Sequence, residues 1–245
     1  MKALQYIILL ALLICPGGLL ATVPTDCTQA IIGIADDWNS SHVTLSVVEK
    51  NKQGQWVRVL GPWKGRLGRS GLVWGLGLHS NPWFATVKQE GDGRSPAGVF
   101  ELGGLWVTNK TPVQRHAHIP YVQVGPADLW VSDPAYPQLY NRHVRLKHPA
   151  RTAWEKKEQM RQNDYAHSIK LLICHNTAHP EVGAGSSIFF HIWRRDGAAP
   201  TAGCTAMNEQ HLRTIIARLN PNRHPVYILL PRKEYADRRN SWCLP

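Results

Sequence analysis

Polar and apolar residues alternate with a period of two along much of this chain. "SSHVTLSVVEK" (40–50) is β-branched and alternating, and "GQWVRVLGPW" (54–63) follows a glycine turn. Together they predict a β-hairpin. "IPYVQVG" (119–125), "SIKLLICHN" (168–176) and "SSIFFHIW" (186–193) are further strand segments bounded by turn residues. Gly and Pro recur through "GRLGRSGLVWGLG" (65–77), "GDGRSPAGVFEL" (91–102) and "GGLWVTNKTP" (103–112), which is the punctuation of a β-rich chain.

One helix stands out. In "NEQHLRTIIARLNP" (208–221), Leu212, Ile215, Ile216 and Leu219 fall on one helical face. Asn208 suits the N-cap, Glu209 the first turn, and Asn220-Pro221 the stop. The strand "PVYILL" (225–230) follows it. "RTAWEKKEQMRQNDY" (151–165) is either a second, more polar helix or a long loop. The expected fold is therefore mainly β with one or two helices. There is no internal repeat of 20 to 50 residues, which excludes a solenoid or propeller, and no linker divides the chain. The 10 tryptophans are scattered among the strands and are expected to pack the core and loops rather than form a sugar platform.

The first 21 residues change the picture. Lys2, the apolar run "ALQYIILLALLIC", a Pro-Gly-Gly break and "LLATVPT" have the layout of a secretory signal peptide. The run is short of the roughly 20 apolar residues of a membrane span. Cleavage after Ala21 leaves 22–245 as one domain, exported to the periplasm or secreted; an uncleaved anchor is the alternative. Losing Lys2 lowers the formal net charge from +11 to +10. Such a surplus favours anionic partners, a cell wall or membrane surface. No helix carries a run of Lys and Arg, so nucleic acid is not expected, and the chain is read as a monomer.

Four cysteines lie beyond the leader: Cys27, Cys174, Cys204 and Cys243, with no C-x-x-C pair, which excludes a zinc ribbon or thioredoxin-like motif. Cys27 and Cys243 lie near the two ends in polar surroundings, and the termini of a domain are often neighbours. In an oxidising compartment they form the expected disulfide. Cys174, in an apolar run, reads as a small core hydrophobe.

Cys204 has no such structural task. It follows Gly203 in a Gly/Pro-rich loop, and His191 closes an apolar strand upstream. A neighbouring base can activate a thiol, and a glycine turn lets the backbone amide point at a developing oxyanion. On spacing alone, a nucleophile and a structural thiol both remain open. The order histidine before cysteine excludes papain-like and NlpC-type peptidases, and the caspase signature is absent. His116 and His118 in "RHAHIP" form a candidate metal pair, but a loop pair is more often polar surface, and no H-E-x-x-H is present. No metal or cofactor is expected, which leaves a metal-dependent wall amidase without its ligands.

"GDGRSPAGVFEL", "GAGSSIFFHIWR" and "PTAGCTAM" followed by "NEQHLRTIIARLNP" resemble the L,D-transpeptidase catalytic domain, the YkuD-like fold. The likeness is nearest to single-domain secreted members whose loop reads P-T-x-G-C. It runs from about residue 42 to residue 230, with "VWGLGLH" and "SDPAYPQLYNR" as similar intervening segments. The resemblance implies a β-sandwich-like fold and cysteine acyl transfer on peptidoglycan stem peptides, as a transpeptidase or an L,D-carboxypeptidase. It makes Cys204 the nucleophile, His191 its base, and Gly203 with the Cys204 amide the oxyanion site. Thr201 and Ala202 of the loop are the expected substrate contacts; His175 and Asn176, which end a strand ahead of the catalytic strand, are candidate contacts too, although an ordinary strand-end hydrogen-bonding role is the more frequent one for such a pair. Three departures stand out: the second histidine of Ser-His-Gly-Cys is missing, the arginine after the cysteine is missing, and the His-to-Cys spacing is short. A catalytically silent wall-binding or anchoring module is the alternative.

Overall fold

The structure is a computed structural model that describes residues 22–108, 112–161 and 163–245. The expected leader lies outside the described residues. Among the described residues no helix is long and apolar enough to cross a membrane.

The chain runs β1 (Gln29–Ala35), β2 (His42–Lys50), β3 (Trp56–Arg66), β4 (Leu72–Trp74), β5 (Ser95–Val107), β6 (Tyr121–Gln123), β7 (Asp128–Val131) and β8 (Arg142–Arg145). There follow α1 (Ala153–Glu158), β9 (Ile169–Ile173), β10 (Phe189–Ile192), β11 (Thr205–Met207), α2 (Glu209–Arg218), β12 (Val226–Pro231) and α3 (Arg232–Arg238). The predicted hairpin is β2–β3, paired antiparallel from His42↔Arg66 to Lys50↔Trp56. The adjoining parts of the two Gly-rich segments, Ser95–Val107, form one long strand, β5, which changes register between Leu102 and Leu105, where Gly103 and Gly104 lie.

The main sheet has the order β12-β1-β2-β3-β11-β10-β9-β5-β4, and β12 also pairs with β5. It therefore closes on itself, which goes beyond the sandwich-like expectation. Closure leaves two sides for burial. One carries the main core, with Ile31, Leu45, Leu105, Leu171, Phe190, Ile216 and Ile228. A smaller cluster of Trp106, Trp130, Met160, Leu172 and Phe189, with Cys174 and Cys204 against it, lies beneath the separate β7–β8 hairpin.

Helix α2 forms as predicted. The Asn208 side chain accepts from the Gln210 and His211 amides, and Leu212, Ile215 and Ile216 are buried. The polar stretch at 151–165 forms the short α1, held by a Thr152–Glu155 capping box, and ends in a 3-10 turn that starts at Tyr165. The third helix, α3, carries no buried residue, so it lacks the apolar face by which a sequence announces a helix. Of the tryptophans, Trp74, Trp106, Trp130 and Trp242 are buried, whereas Trp83 is 95% exposed.

The predicted Cys27–Cys243 disulfide is absent: Cys27 is a free, buried thiol that donates to the Gln29 carbonyl. The two ends do meet, with the Val23 amide donating to the Trp242 carbonyl. Neighbouring termini are not enough for a bond, because Cys27 directs its sulfur into the core.

Candidate active site

Parallel pairing of β10 with β11 aligns Phe190 with Thr205 and His191 with Ala206. Cys204, just before β11, therefore lies beside Phe189. Its sulfur receives the Phe189 amide hydrogen at 3.4 Å and donates to the Ser187 carbonyl at 3.3 Å. Ser187 has φ 57°, a left-handed conformation that a serine adopts only where its surroundings enforce it. Asn141 supplies that enforcement by accepting from the Ser187 amide while its own amide group donates to the His175 and Asn176 carbonyls.

Cys204 opens into a cleft of about 210 Å³ shared with Trp130, Ser132, Glu158, His167, Lys170 and Ser187. A larger cavity, lined by Glu101, His118, Leu171 and His224, lies elsewhere and does not reach Cys204. Burial raises the Cys204 thiol above its usual range. The Phe189 N–H and the positive charges of Lys170, Lys88 and Arg194 work against that rise. Arg194, from the loop after β10, thus brings positive charge to a site whose loop lacks the arginine expected after the cysteine.

His191 is on the same face of β10 as Phe189. It is 3% exposed, and its Nδ1 donates to the Ile192 carbonyl at 2.8 Å. That leaves Nε2 as the proton acceptor. Burial is the main cause that pushes its pKa down to about 3. Its ring lies tilted against that of His167, with centroids 4.5 Å apart and planes at 35°. Among the described residues no hydrogen bond joins His191 to Cys204, and His167 is the histidine that lines the cleft. The His167 Nδ1 donates to Asp164 at 2.9 Å, and Arg194 pairs with the same carboxylate. Burial opposes ionisation of Asp164, but the bonds from Arg194 and His167 hold it at about 2.

Other expected site residues take scaffold positions. The Gly203 amide is bonded to Thr201 Oγ1 at 3.1 Å, so it is not free to receive an oxyanion. Gly203 instead permits a φ of 157° where an added Cβ would lie 3.0 Å from the Arg94 carbonyl oxygen. Thr201 is buried. Its hydroxyl donates to the Cys204 carbonyl at 2.7 Å and its backbone pairs with Leu67 and Arg69, so it clamps the loop rather than facing the cleft. Ala202 is exposed on that loop. His175 accepts from the Leu76 amide at Nδ1 and donates from Nε2 to the Ala184 carbonyl. Asn176 binds the Glu181 and Gly185 carbonyls. Both are saturated and outside the Cys204 cleft, because the left-handed turn at Asn176 folds the following loop back over them.

Strand β11 separates Cys204 from α2, whose N-terminus is capped by Asn208 instead of being aimed at the sulfur. Sequence reading passed over His167, Asp164, Lys170 and Arg194. The signal present was a lysine interrupting the apolar run "SIKLLIC" and a histidine just ahead of it. His116 and His118 lie together on an exposed segment, with ring centroids 5.0 Å apart. Among the described residues no group of His, Cys, Asp and Glu is arranged to hold a metal.

No curated protein and no solved structure matches the chain. A family model, the L,D-transpeptidase catalytic domain (YkuD), matches residues 40–228. This span contains the whole cleft and the strands that build it, and the activity associated with the domain is of the L,D-transpeptidase type on peptidoglycan. The chain belongs to the L,D-transpeptidase catalytic domain family.

Proposed function

We propose that this protein transfers acyl groups on peptidoglycan stem peptides through a thioester on Cys204. The observation that carries the reading is the Cys204 sulfur held by the Phe189 amide at the floor of a cleft with cationic surroundings. The thiol gives its proton to His191, and the thiolate attacks the amide carbonyl after the L-centre of the donor stem. The carbon–nitrogen bond breaks, and the D-residue leaves as an amine carrying the returned proton. An acceptor amine or water then cleaves the thioester, giving a crosslink or a shortened stem. The Cys204 amide serves the oxyanion without help from the Gly203 amide, which is engaged with Thr201.

The leader and the basic surplus support export and work at an anionic wall or membrane surface. Mass spectrometry of the protein incubated with a stem-peptide donor or a carbapenem should find the adduct on Cys204. Undiminished turnover in Cys204→Ala would leave the silent wall-binding module as the better reading.

One observation favours a second assignment of the base. His167 lines the cleft and is oriented by Asp164, whereas His191 lies beneath it. If His167 exchanges the proton, His167→Ala abolishes turnover and His191→Ala only weakens it; the opposite ranking is expected for His191.

A further inference from the structure

Lys170 is a buried cation that pairs with no carboxylate among the described residues. It projects from β9 at the position paired with His191, is 3% exposed, and donates to the Met160 carbonyl at 2.7 Å. An ammonium group has three donors, and among the described residues this is the one hydrogen bond that the Lys170 side chain makes. A buried charge is costly unless an opposite charge compensates it. The other cations acting on Cys204 are already committed, Lys88 to Asp92 and Arg194 to Asp164.

The groups packed around Lys170 leave little choice of counter-ion. Glu158 of α1 lines the same cleft and accepts from the Ser132 amide, but among the described residues it forms no ion pair with Lys170, and Asp164 is held by Arg194 and His167. His191, pushed down to about 3, holds a proton only in transit, and the His167 pKa is lowered chiefly by burial, so neither histidine is a standing counter-ion for the sulfur. Lys157 lines the same cleft but is exposed, where water screens it. Cys204 shares the cleft with Lys170 and can become an anion.

We propose that the Lys170 ammonium is the counter-ion of the Cys204 thiolate, a positioning residue that keeps the nucleophile charged once its proton has left. The inference rests on Cys204 being the reactive thiol. Burial pushes Lys170 down to about 8, and Cys204 and Asp164 pull it back up, so the two groups support each other's charged forms.

The test is the rate of alkylation of Cys204 by iodoacetamide across a pH series, read by peptide mapping so that Cys27 and Cys174 do not interfere. Lys170→Met should move the midpoint of the profile up by about one pH unit and slow alkylation near neutrality about tenfold. Lys170→Arg should restore most of the rate. An unchanged profile in Lys170→Met overturns the proposal. If that variant does not fold, the reciprocal measurement decides: the Lys170 ammonium, followed by NMR, should titrate at lower pH in Cys204→Ser than in wild type, and an equal midpoint refutes the pair. Alkylation needs no wall substrate, so failure here is distinct from failure of the acyl-transfer reading, which is judged by turnover in Cys204→Ala.

Discussion

Two strand ends in this protein each bring a cysteine and a histidine together, and they differ in almost everything else. At the end of β9, Cys174 and His175 are followed by Asn176; at the start of β11, Cys204 lies near His167 and His191. His175 spends both ring nitrogens on backbone partners, and burial pushes the Cys174 thiol up to about 11. Cys204 is also raised by burial, but an amide donor and three cations oppose the rise. Beside it, His167 meets Asp164 and Arg194 through Nδ1 and His191 meets the Ile192 carbonyl through Nδ1, so that among the described residues the Nε2 of each ring has no hydrogen-bond partner. A cysteine with a histidine makes a site only where hydrogen-bonding capacity is left unspent and charge is supplied. The first region is a clamp, and the second is equipped for chemistry.

The comparison can be broken most forcefully at the two sulfurs. Cys204→Ala should reduce acyl transfer by at least about 10³-fold, as loss of a nucleophile does elsewhere, with little change in the urea midpoint. Cys174→Ala should leave turnover near wild type. Equal losses in a muropeptide assay would erase the distinction.

Acid should act on both regions through their buried histidines. His79 and His175 are pushed down to about 4 and His191 to about 3, in each case chiefly by burial. These rings resist protons that the unfolded chain binds below its pKa of 6.5. Their contribution to stability is therefore complete above pH 6.5 and is lost as pH falls toward those folded-state values. Each costs about 1.4 kcal/mol per pH unit within that window. Urea titrations across it should show stability falling with acid, with a shallower slope in His175→Gln. A flat profile would mean that these rings are not buried neutral.

A smaller effect sharpens the clamp assignment. Asn176→Ala leaves the Glu181 amide and the Glu181 and Gly185 carbonyls without their partner, a loss of about 1–3 kcal/mol. The alkylation profile of Cys204 in the folded variant should stay unchanged. A changed profile would join the two regions into one site. The smallest effect expected concerns surface charge: binding to isolated sacculi should weaken as salt screens exposed cations beyond about 10 Å at 0.1 M. Salt-independent binding would remove that role from the basic surplus.

Much of this architecture was legible along the chain. The β2–β3 hairpin follows from alternation, and α2 from Leu212, Ile215 and Ile216 with Asn208 as cap, because both patterns are local and each residue's burial depends on its own element. Cys204 and His191 were singled out through their motifs; His191 lies in β10, and Cys204 immediately precedes the strand paired with it, β11. Elements whose partners are distant were harder. Strand β11 is short and exists because β10 and β3 flank it, and α3 buries nothing that would mark it.

By itself, the sequence determined the mainly β class, the amphipathic helix, and which cysteine follows a glycine in the loop. Tertiary structure alone decided the closure of the sheet through β12 and β5, the burial of Cys27 away from Cys243, and the saturation of His175 and Asn176. It also decided that His167, Asp164, Lys170 and Arg194 gather around Cys204. The physical reason is that periodicity encodes which face of an element is buried. The field at a sulfur and the partner of a ring nitrogen are set instead by groups that meet only when β9, β10 and β11 lie side by side.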